Sequence, residues 1–319
     1  MPRIAVLFPG QGSQEIGMGS DLFDSDPHFQ HLIELASDMV HEDLRAICLH
    51  GPERKLILSR FLQPLLTSIS LAYFRLVTDR GVRAEVVCGH SLGEITALAA
   101  AGVVSDEDSV RMATKRGMLM DEVASRIDGG MMAVLFARID EVEALIQECG
   151  LGRKVVLAND NAPDQLVLSG DNEGLAAVAR LIAERGMGKT RKIVVSGPWH
   201  TPYLRDARYL FEEWARDIVF SRPSTPLVLN ALAKTEYHPR TIKNLITWQL
   251  TAPVFWRECM NTLRDEGIDT LVEIGPGRVL SGLARVNGFK KGTTVFNVNN
   301  RRGLEQAVAD LGMAVTSVA

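Results

Sequence analysis

The sequence predicts an α/β fold: a mainly parallel sheet domain into which a ferredoxin-like α+β subdomain is inserted. Three observations predict it. Short apolar runs alternate with helix-forming segments along all 319 residues, the grammar of parallel strands joined by crossover helices. Between about residues 127 and 196 the order changes to βαββαβ. One apolar run also turns directly into a helix through Gly89-His90-Ser91-Leu92-Gly93, at the G-x-S-x-G spacing of a strand-to-helix elbow.

Residues 3–8 form the first buried strand and run straight into Pro9-Gly10. Residues 84–88, with adjacent valines and no polar alternation, read as another buried strand. The helix after it is rich in strong helix formers and stops at Gly102. Ser105-Asp106-Glu107-Asp108 has the form of a capping box, so the next helix is expected over 106–124. Within the βαββαβ block, strands are expected at 131–137, 154–158, 166–169 and 192–196, with helices at 140–149 and 172–185. Residues 159–164 are expected to link the two middle strands as a loop. Strands at 226–229, 270–274 and 294–297 complete the larger sheet. The expected organisation is a discontinuous large domain, 1–126 and 197–319, carrying a small subdomain at 127–196.

Composition excludes several function classes. A net charge of −4 with scattered Lys and Arg offers no basic surface for nucleic acid. The apolar runs fall short of the ~18 residues needed to span a bilayer, and the amino-terminal run is too short for a signal peptide. Cys48, Cys88, Cys149 and Cys259 have neither metal-ligand nor disulfide-framework spacing. A reducing cytoplasm is therefore the expected setting, with no metal. Cys88 stands three residues before Ser91 but inside a strand, which makes it a core thiol rather than a nucleophile.

Chemistry gathers after strand ends. At the elbow, the glycines permit a tight turn and leave the Ser91 hydroxyl at the positive end of a helix dipole. A glycine-rich βα turn with an incidental serine would give the same five residues. The first loop, Pro9-Gly10-Gln11-Gly12-Ser13-Gln14, lacks a phosphate-loop lysine; its Gln11 N–H and that of Leu92 are candidate oxyanion donors. Arg116 lies between Met112 and Met120 on an apolar helix face. A guanidinium there needs a partner, either an internal acid or a ligand carboxylate. His200, in Gly197-Pro198-Trp199-His200-Thr201-Pro202, follows a strand and is a candidate general base for the serine. Asp206 and Gln249 are the candidates for orienting its ring. His90 would orient substrate or pack within the elbow. The loop Glu273-Ile274-Gly275-Pro276-Gly277 again follows a strand.

Taken in order, Gly10 to Gln14, Gly89 to Glu94, Arg116-Gly117, Asn159 to Gly170, Trp199-His200, Gln249 to Pro253 and Glu273 to Gly277 resemble the malonyl-CoA:acyl-carrier-protein transacylases and the acyltransferase domains of polyketide synthases. The resemblance spans nearly the whole chain. It implies a hydrolase-like large domain with an inserted ferredoxin-like subdomain, and roles for single residues. Ser91 would be acylated, His200 would act as base, and the Gln249 backbone carbonyl would orient that histidine in place of an acid. Gln11 and Leu92 would form the oxyanion hole, and Arg116 would grip the free carboxylate of malonyl. Asn159 and Asn161 match a polar loop of the small subdomain. No cofactor is implied beyond the coenzyme A thioester as substrate. The expected partners are malonyl-CoA and a holo acyl carrier protein, with no nucleic acid and no membrane, and the chain is expected to be a monomer.

One position departs from the commonest pattern, in which a small residue precedes the histidine. Trp199 is closer to the bulky aromatic of malonyl-selective polyketide acyltransferases, where it would fill the space of an α-methyl branch. His90 and Trp199 are thus the expected pocket residues, and Trp199 inclines the reading toward a discrete, trans-acting polyketide enzyme. Two competing readings keep Ser91. An acyl-thioester hydrolase editing carrier proteins has little use for Arg116, and a docking scaffold has none for an intact Ser91, His200 and Arg116.

Overall fold

A run of apolar residues without alternation suits a strand covered on both faces, and Ile4–Phe8 is buried at all five positions. The computed structural model describes residues 2–290 and 292–316. Among them ten strands form: β1 (Ile4–Phe8), β2 (Val86–Gly89), β3 (Gly129–Leu135), β4 (Val155–Ala162), β5 (Gln165–Asp171), β6 (Lys189–Ile193), β7 (Leu227–Leu229), β8 (Lys234–Thr235), β9 (Thr270–Ile274) and β10 (Thr294–Val298). The larger sheet has the order β10-β9-β1-β2-β7-β8 and is parallel except for β8, which returns antiparallel to β7. The register sets Phe8 beside Gly89 and Leu7 beside Glu273. The loops after β1, β2, β7 and β9 therefore emerge along one edge, where ligands of open parallel sheets are bound.

Helices cover both faces. Asp106–Ala124 begins at Ser105, whose hydroxyl accepts the Asp108 N–H at 3.0 Å. Its far end fixes a second helix, Ser59–Asp79: the Asp121 carboxylate accepts the Ser59 and Arg60 N–H groups, each at 3.0 Å, and so caps that helix from outside. The two helices meet at Gly117, where an added Cβ would lie 2.3 Å from the Ser59 carbonyl oxygen. This approach is what lets Gln63 reach Arg116.

The smaller sheet is antiparallel with the order β4-β5-β3-β6, the 4-1-3-2 order of a ferredoxin-like unit. Alternation divides its faces. Met132, Val134, Leu166 and Leu168 pack against Val142, Leu145, Val178 and Ile182 of its helices Ile139–Glu148 and Asn172–Glu184. Met131 and Val167 point the other way, into the large core.

Several elements differ from the sequence expectation; β3, for one, lies two residues earlier, at Gly129–Leu135. The polar segment Asn159-Asp160-Asn161-Ala162 continues β4, and the turn to β5 is only Pro163-Asp164. The strand survives because the large sheet's surroundings bond to its backbone and pair with its carboxylate. Asp160 N–H donates to the Val254 carbonyl at 2.9 Å, and its carboxylate pairs with Arg257 at 2.8 Å. Asn287 Nδ2 donates to the Asn161 carbonyl at 2.8 Å. β6 lies earlier than expected, at Lys189–Ile193 rather than 192–196, because this edge strand is polar and largely exposed and the apolar residues follow it. β8 has two residues and carries no hydrophobic pattern. Among the described residues no helix is long and apolar enough to cross a membrane.

Candidate active site

Ser91 sits between β2 and the helix Leu92–Ala100, with φ 50° and ψ −107°. A non-glycine residue in that region carries roughly 1–3 kcal/mol of strain, which the neighbouring glycines make tolerable. A Cβ on Gly93 would lie 2.0 Å from the Phe8 carbonyl oxygen, and one on Gly89 would lie 1.9 Å from that of Gly93. Strand and helix can close on each other only without those side chains. The Ser91 N–H is spent on Asn230 Oδ1 at 2.8 Å, that of Gly93 on the His90 carbonyl at 2.9 Å, and that of Glu94 on the Ser91 carbonyl at 3.0 Å. The Leu92 amide is left as the donor at this helix start.

His200 reaches the serine from the loop after β6. Ser91 Oγ and His200 Nε2 are 2.8 Å apart. The opposite ring nitrogen, Nδ1, lies 3.0 Å from each of the Gln249 and Ala252 carbonyl oxygens. Carbonyls only accept, so the proton is on Nδ1 and the Nε2 lone pair faces the hydroxyl. Burial, then the nearby Arg116 charge, press the imidazole pKa down to about 3, against the pull of the two carbonyls. The ring is therefore neutral at pH 7. Asp206, the other candidate for orienting it, is exposed on the helix Arg205–Trp214 and is displaced from that task by the two carbonyls.

Arg116 is 1% exposed, yet every hydrogen-bond partner of its guanidinium is uncharged. Nη1 donates to Gln63 Oε1 at 2.9 Å and to Met120 Sδ at 3.1 Å. Nη2 donates to Gln249 Oε1 at 3.0 Å and to Ser91 Oγ at 3.3 Å. Buried Nε has no hydrogen-bond partner among the described residues. Burial lowers the pKa to about 10, opposed by Glu94, so the group stays cationic. Of the two readings left open for Arg116, an internal acid in contact with it is not what the structure contains.

Gln11 joins the same network. Its Oε1 accepts from Gln63 Nε2 at 3.0 Å, and its Nε2 donates to Ser59 Oγ at 3.2 Å. Beside Ser91 lies a cavity of about 180 Å³ whose lining includes Gln11, His90, Trp199, His200, Met131 and Asn161. Trp199 is 3% exposed, and its ring lies over Gly197, where a Cβ would meet it at 2.6 Å. His90 donates from Nε2 to Asn161 Oδ1 at 2.8 Å and meets Trp256 edge-on; burial lowers its pKa. His90 thus packs within the elbow and also lines the cavity. Asn159 lines the cavity from β4.

A strained serine against a neutral imidazole, with a helix amide and a buried cation beside it, is equipped for acyl transfer. Residues 6–298 match the acyl transferase domain family. The chain belongs to that family. This acyltransferase is 35% identical over 286 residues to the malonyl CoA-acyl carrier protein transacylase of Bacillus subtilis (strain 168), spanning 89% of this chain and 90% of that protein. It is also 35% identical over 284 residues to the polyketide biosynthesis malonyl CoA-acyl carrier protein transacylase PksC of the same organism, spanning 88% and 95%. The crystal structure of the malonyl-CoA:acyl carrier protein transacylase of Xanthomonas oryzae pv. oryzae superposes with a TM-score of 0.90 at 36% identity, covering 97% of this chain and 99% of that one.

The acyltransferase also uses residues that the sequence did not single out. Gln63 and Asn230 hold Arg116 and the Ser91 amide, and Glu94 lies buried beneath the elbow, 2% exposed. Burial raises the Glu94 pKa to about 7 against the Asn230 amide, Gln249 and Arg116, which lower it. Only Asn230 offered a signal, an amide directly after a strand. Glu273 is structural: its carboxylate accepts the Leu280 and Ser281 N–H groups at 2.9 and 2.8 Å and caps the helix Val279–Val286. The four cysteines are free, and burial pushes the Cys88 thiol well up, as befits a core residue.

Proposed function

We propose that this acyltransferase moves a malonyl group from malonyl-CoA to the phosphopantetheine thiol of an acyl carrier protein, in two half-reactions through Ser91. The observation that carries this reading is the placement of Ser91 Oγ, 2.8 Å from His200 Nε2 and 3.3 Å from Arg116 Nη2. One neighbour can take the hydroxyl proton, and the other can hold an anion carried by the acyl group.

His200 Nε2 takes the Ser91 proton as Oγ attacks the thioester carbonyl carbon, and the imidazolium that forms is held by the Gln249 and Ala252 carbonyls. The carbonyl oxygen becomes an oxyanion, which accepts hydrogen bonds from the Leu92 and Gln11 N–H groups. The C–S bond breaks, and coenzyme A leaves with the proton from Nε2. In the second half-reaction the carrier thiol gives its proton to Nε2 and attacks the acyl-serine, and as the C–Oγ bond breaks Oγ takes that proton back from Nε2. Throughout, Arg116 Nε and Nη2 face the malonyl carboxylate, which supplies the charged partner that the guanidinium lacks.

The cavity supports a short acyl group, being smaller than the ~300–1,000 Å³ usual for drug-sized ligands. Trp199 closes the side where an α-methyl branch would project. In this reading the enzyme works as a cytoplasmic monomer without a cofactor, with residues 127–196 as the small subdomain and 1–126 and 197–319 as the large one. A hydrolase editing carrier proteins would have no use for Arg116. A polyketide relative and one not so named match at the same 35% identity, so the polyketide inclination rests on Trp199 alone.

The test is a transfer assay with labelled malonyl-CoA and a holo carrier protein. The label should pass to the carrier in proportion to enzyme turnover, with free malonate a minor product. Malonate as the main product, with the carrier present, would mark a hydrolase.

A further inference from the structure

Glu94 takes no part in the reaction just described, yet it lies within the same hydrogen-bonded cluster. Its Oε1 accepts the Asn230 N–H and its Oε2 accepts from Gln249 Nε2. That amide nitrogen also donates to the Ser91 carbonyl at 2.7 Å, and the Gln249 Oε1 accepts from Arg116 Nη2 at 3.0 Å. One carboxamide therefore joins a buried cation to a buried carboxyl group whose two oxygens both face donors, which favours its ionised form against the upward push of burial, although the two make no ion pair with each other.

We infer that Glu94 is a positioning residue: acting through the Gln249 side-chain amide, it holds the Arg116 guanidinium beside Ser91 and offsets its charge from a distance. This rests on the reading of Arg116 as the partner of the malonyl carboxylate. A direct Glu–Arg pair would occupy the guanidinium edge that the substrate needs. With an amide between them, the charges still attract across a low-dielectric interior, while Nε stays available and Nη2 can exchange its long contact with Ser91 Oγ for the substrate. The amide also has only one workable orientation. Both partners of the carboxylate, the Asn230 N–H and Gln249 Nε2, can only donate, so Glu94 must accept with both oxygens. That fixes Gln249 Nε2 toward Glu94 and its Oε1 toward Arg116.

Glu94→Gln tests this at unchanged size. The new NH2 would face either the Asn230 N–H or Gln249 Nε2, donor against donor, and turning Gln249 over would face its own NH2 to Arg116. Acylation by malonyl-CoA and by acetyl-CoA is measured on wild type and variant. The expected result is a fall of roughly 10- to 100-fold in kcat/KM for malonyl-CoA, the scale of losing a charge-assisted hydrogen bond, appearing mainly in KM. Acetyl-CoA should lose clearly less, so that the malonyl-to-acetyl ratio of kcat/KM falls by about 10-fold; some loss is expected for both thioesters, because Gln249 Nε2 also bonds the Ser91 carbonyl. Gln249→Leu keeps the backbone carbonyl on His200 and removes only the amide. It also removes the bond to the Ser91 carbonyl, so both thioesters should slow, but the malonyl-to-acetyl ratio should fall as in Glu94→Gln, and the ratio in the double variant should fall no further than in the larger single effect.

Equal losses for malonyl and acetyl, additive effects in the double variant, or no effect would each overturn the inference. Should Glu94→Gln fail to fold, the malonyl-to-acetyl ratio of Gln249→Leu decides: an unchanged ratio overturns the relay. A wild-type protein that is not acylated by malonyl-CoA would instead overturn the proposed function, a separate outcome.

Discussion

Replacing Arg116 with alanine separates the recognition of malonyl from the chemistry of acyl transfer. The guanidinium can offer a carboxylate two charge-assisted hydrogen bonds, from Nε and Nη2, each worth ~1.5–3 kcal/mol. Nη2 already serves Gln249 and Ser91 at 3.0 and 3.3 Å, so part of its gain on binding is exchange. That places the loss near the lower end, about 3 kcal/mol, or roughly 10²-fold in kcat/KM for malonyl-CoA. Acetyl-CoA has no carboxylate to lose and should be accepted as well or better. Stability should fall as well. The variant empties a fully buried site, leaves Gln63 Oε1 and Gln249 Oε1 each short of a donor, and takes from buried Glu94 a charge that lowers its pKa. The assay is single-turnover acylation followed for both thioesters, with Tm recorded alongside. Equal losses for malonyl and acetyl in a variant that is still folded at the assay temperature would refute the carboxylate clamp.

Three further predictions follow from the same geometry. Trp199→Ala should open the cavity to an α-methyl branch and raise the methylmalonyl-to-malonyl ratio of kcat/KM by about 10-fold or more, the usual worth of one methyl group in a closed pocket; an unchanged ratio would show that Trp199 is not the barrier. His200, whose folded pKa of about 3 lies below its ordinary 6.5, leaves the unfolded chain binding more protons between those values. Its contribution to stability is therefore intact above about pH 6.5 and declines as pH falls toward 3. Urea unfolding at pH 7 and pH 4 should show wild type losing on the order of 3 kcal/mol more than His200→Asn, and parallel losses would contradict the burial of a neutral ring. Gly93→Ala should lower stability by about 3 kcal/mol or more, or prevent folding, since its Cβ would sit 2.0 Å from the Phe8 carbonyl oxygen; a Tm within a few degrees of wild type would mean that the elbow is not packed as described.

What the sequence made legible were groups whose chemistry is odd for their place. A serine between glycines at a strand end, an arginine on an apolar helix face and a histidine in a proline-stiffened loop each break a local rule, and the structure brings all three together within one hydrogen-bond network. Residues that obey local rules stayed hidden. Glu94 stands in the first turn of a helix, where an acid is ordinary, and only the arrival of Asn230 and Gln249 from more than a hundred residues away buries it. Gln63 reads as an unremarked helix former until Gly117 lets its helix close on Arg116. The same division explains the strands. β1 is apolar at every position and β9 carries Leu271, Val272 and Ile274, so both can be read directly. The polar end of β4 is a strand only because Val254, Arg257 and Asn287 satisfy it, and β6 is an exposed edge with little pattern of its own.

The central claim is that Ser91 carries malonyl between two thiols, and intact-protein mass spectrometry tests it most directly. After mixing with malonyl-CoA the protein should gain the mass of one malonyl group, located on Ser91 by peptide mapping. Adding a holo carrier protein should return the enzyme to its original mass while the carrier gains that group, and Ser91→Ala should show no adduct at all. An adduct on another residue, or one lost to water in preference to the carrier, would contradict the account.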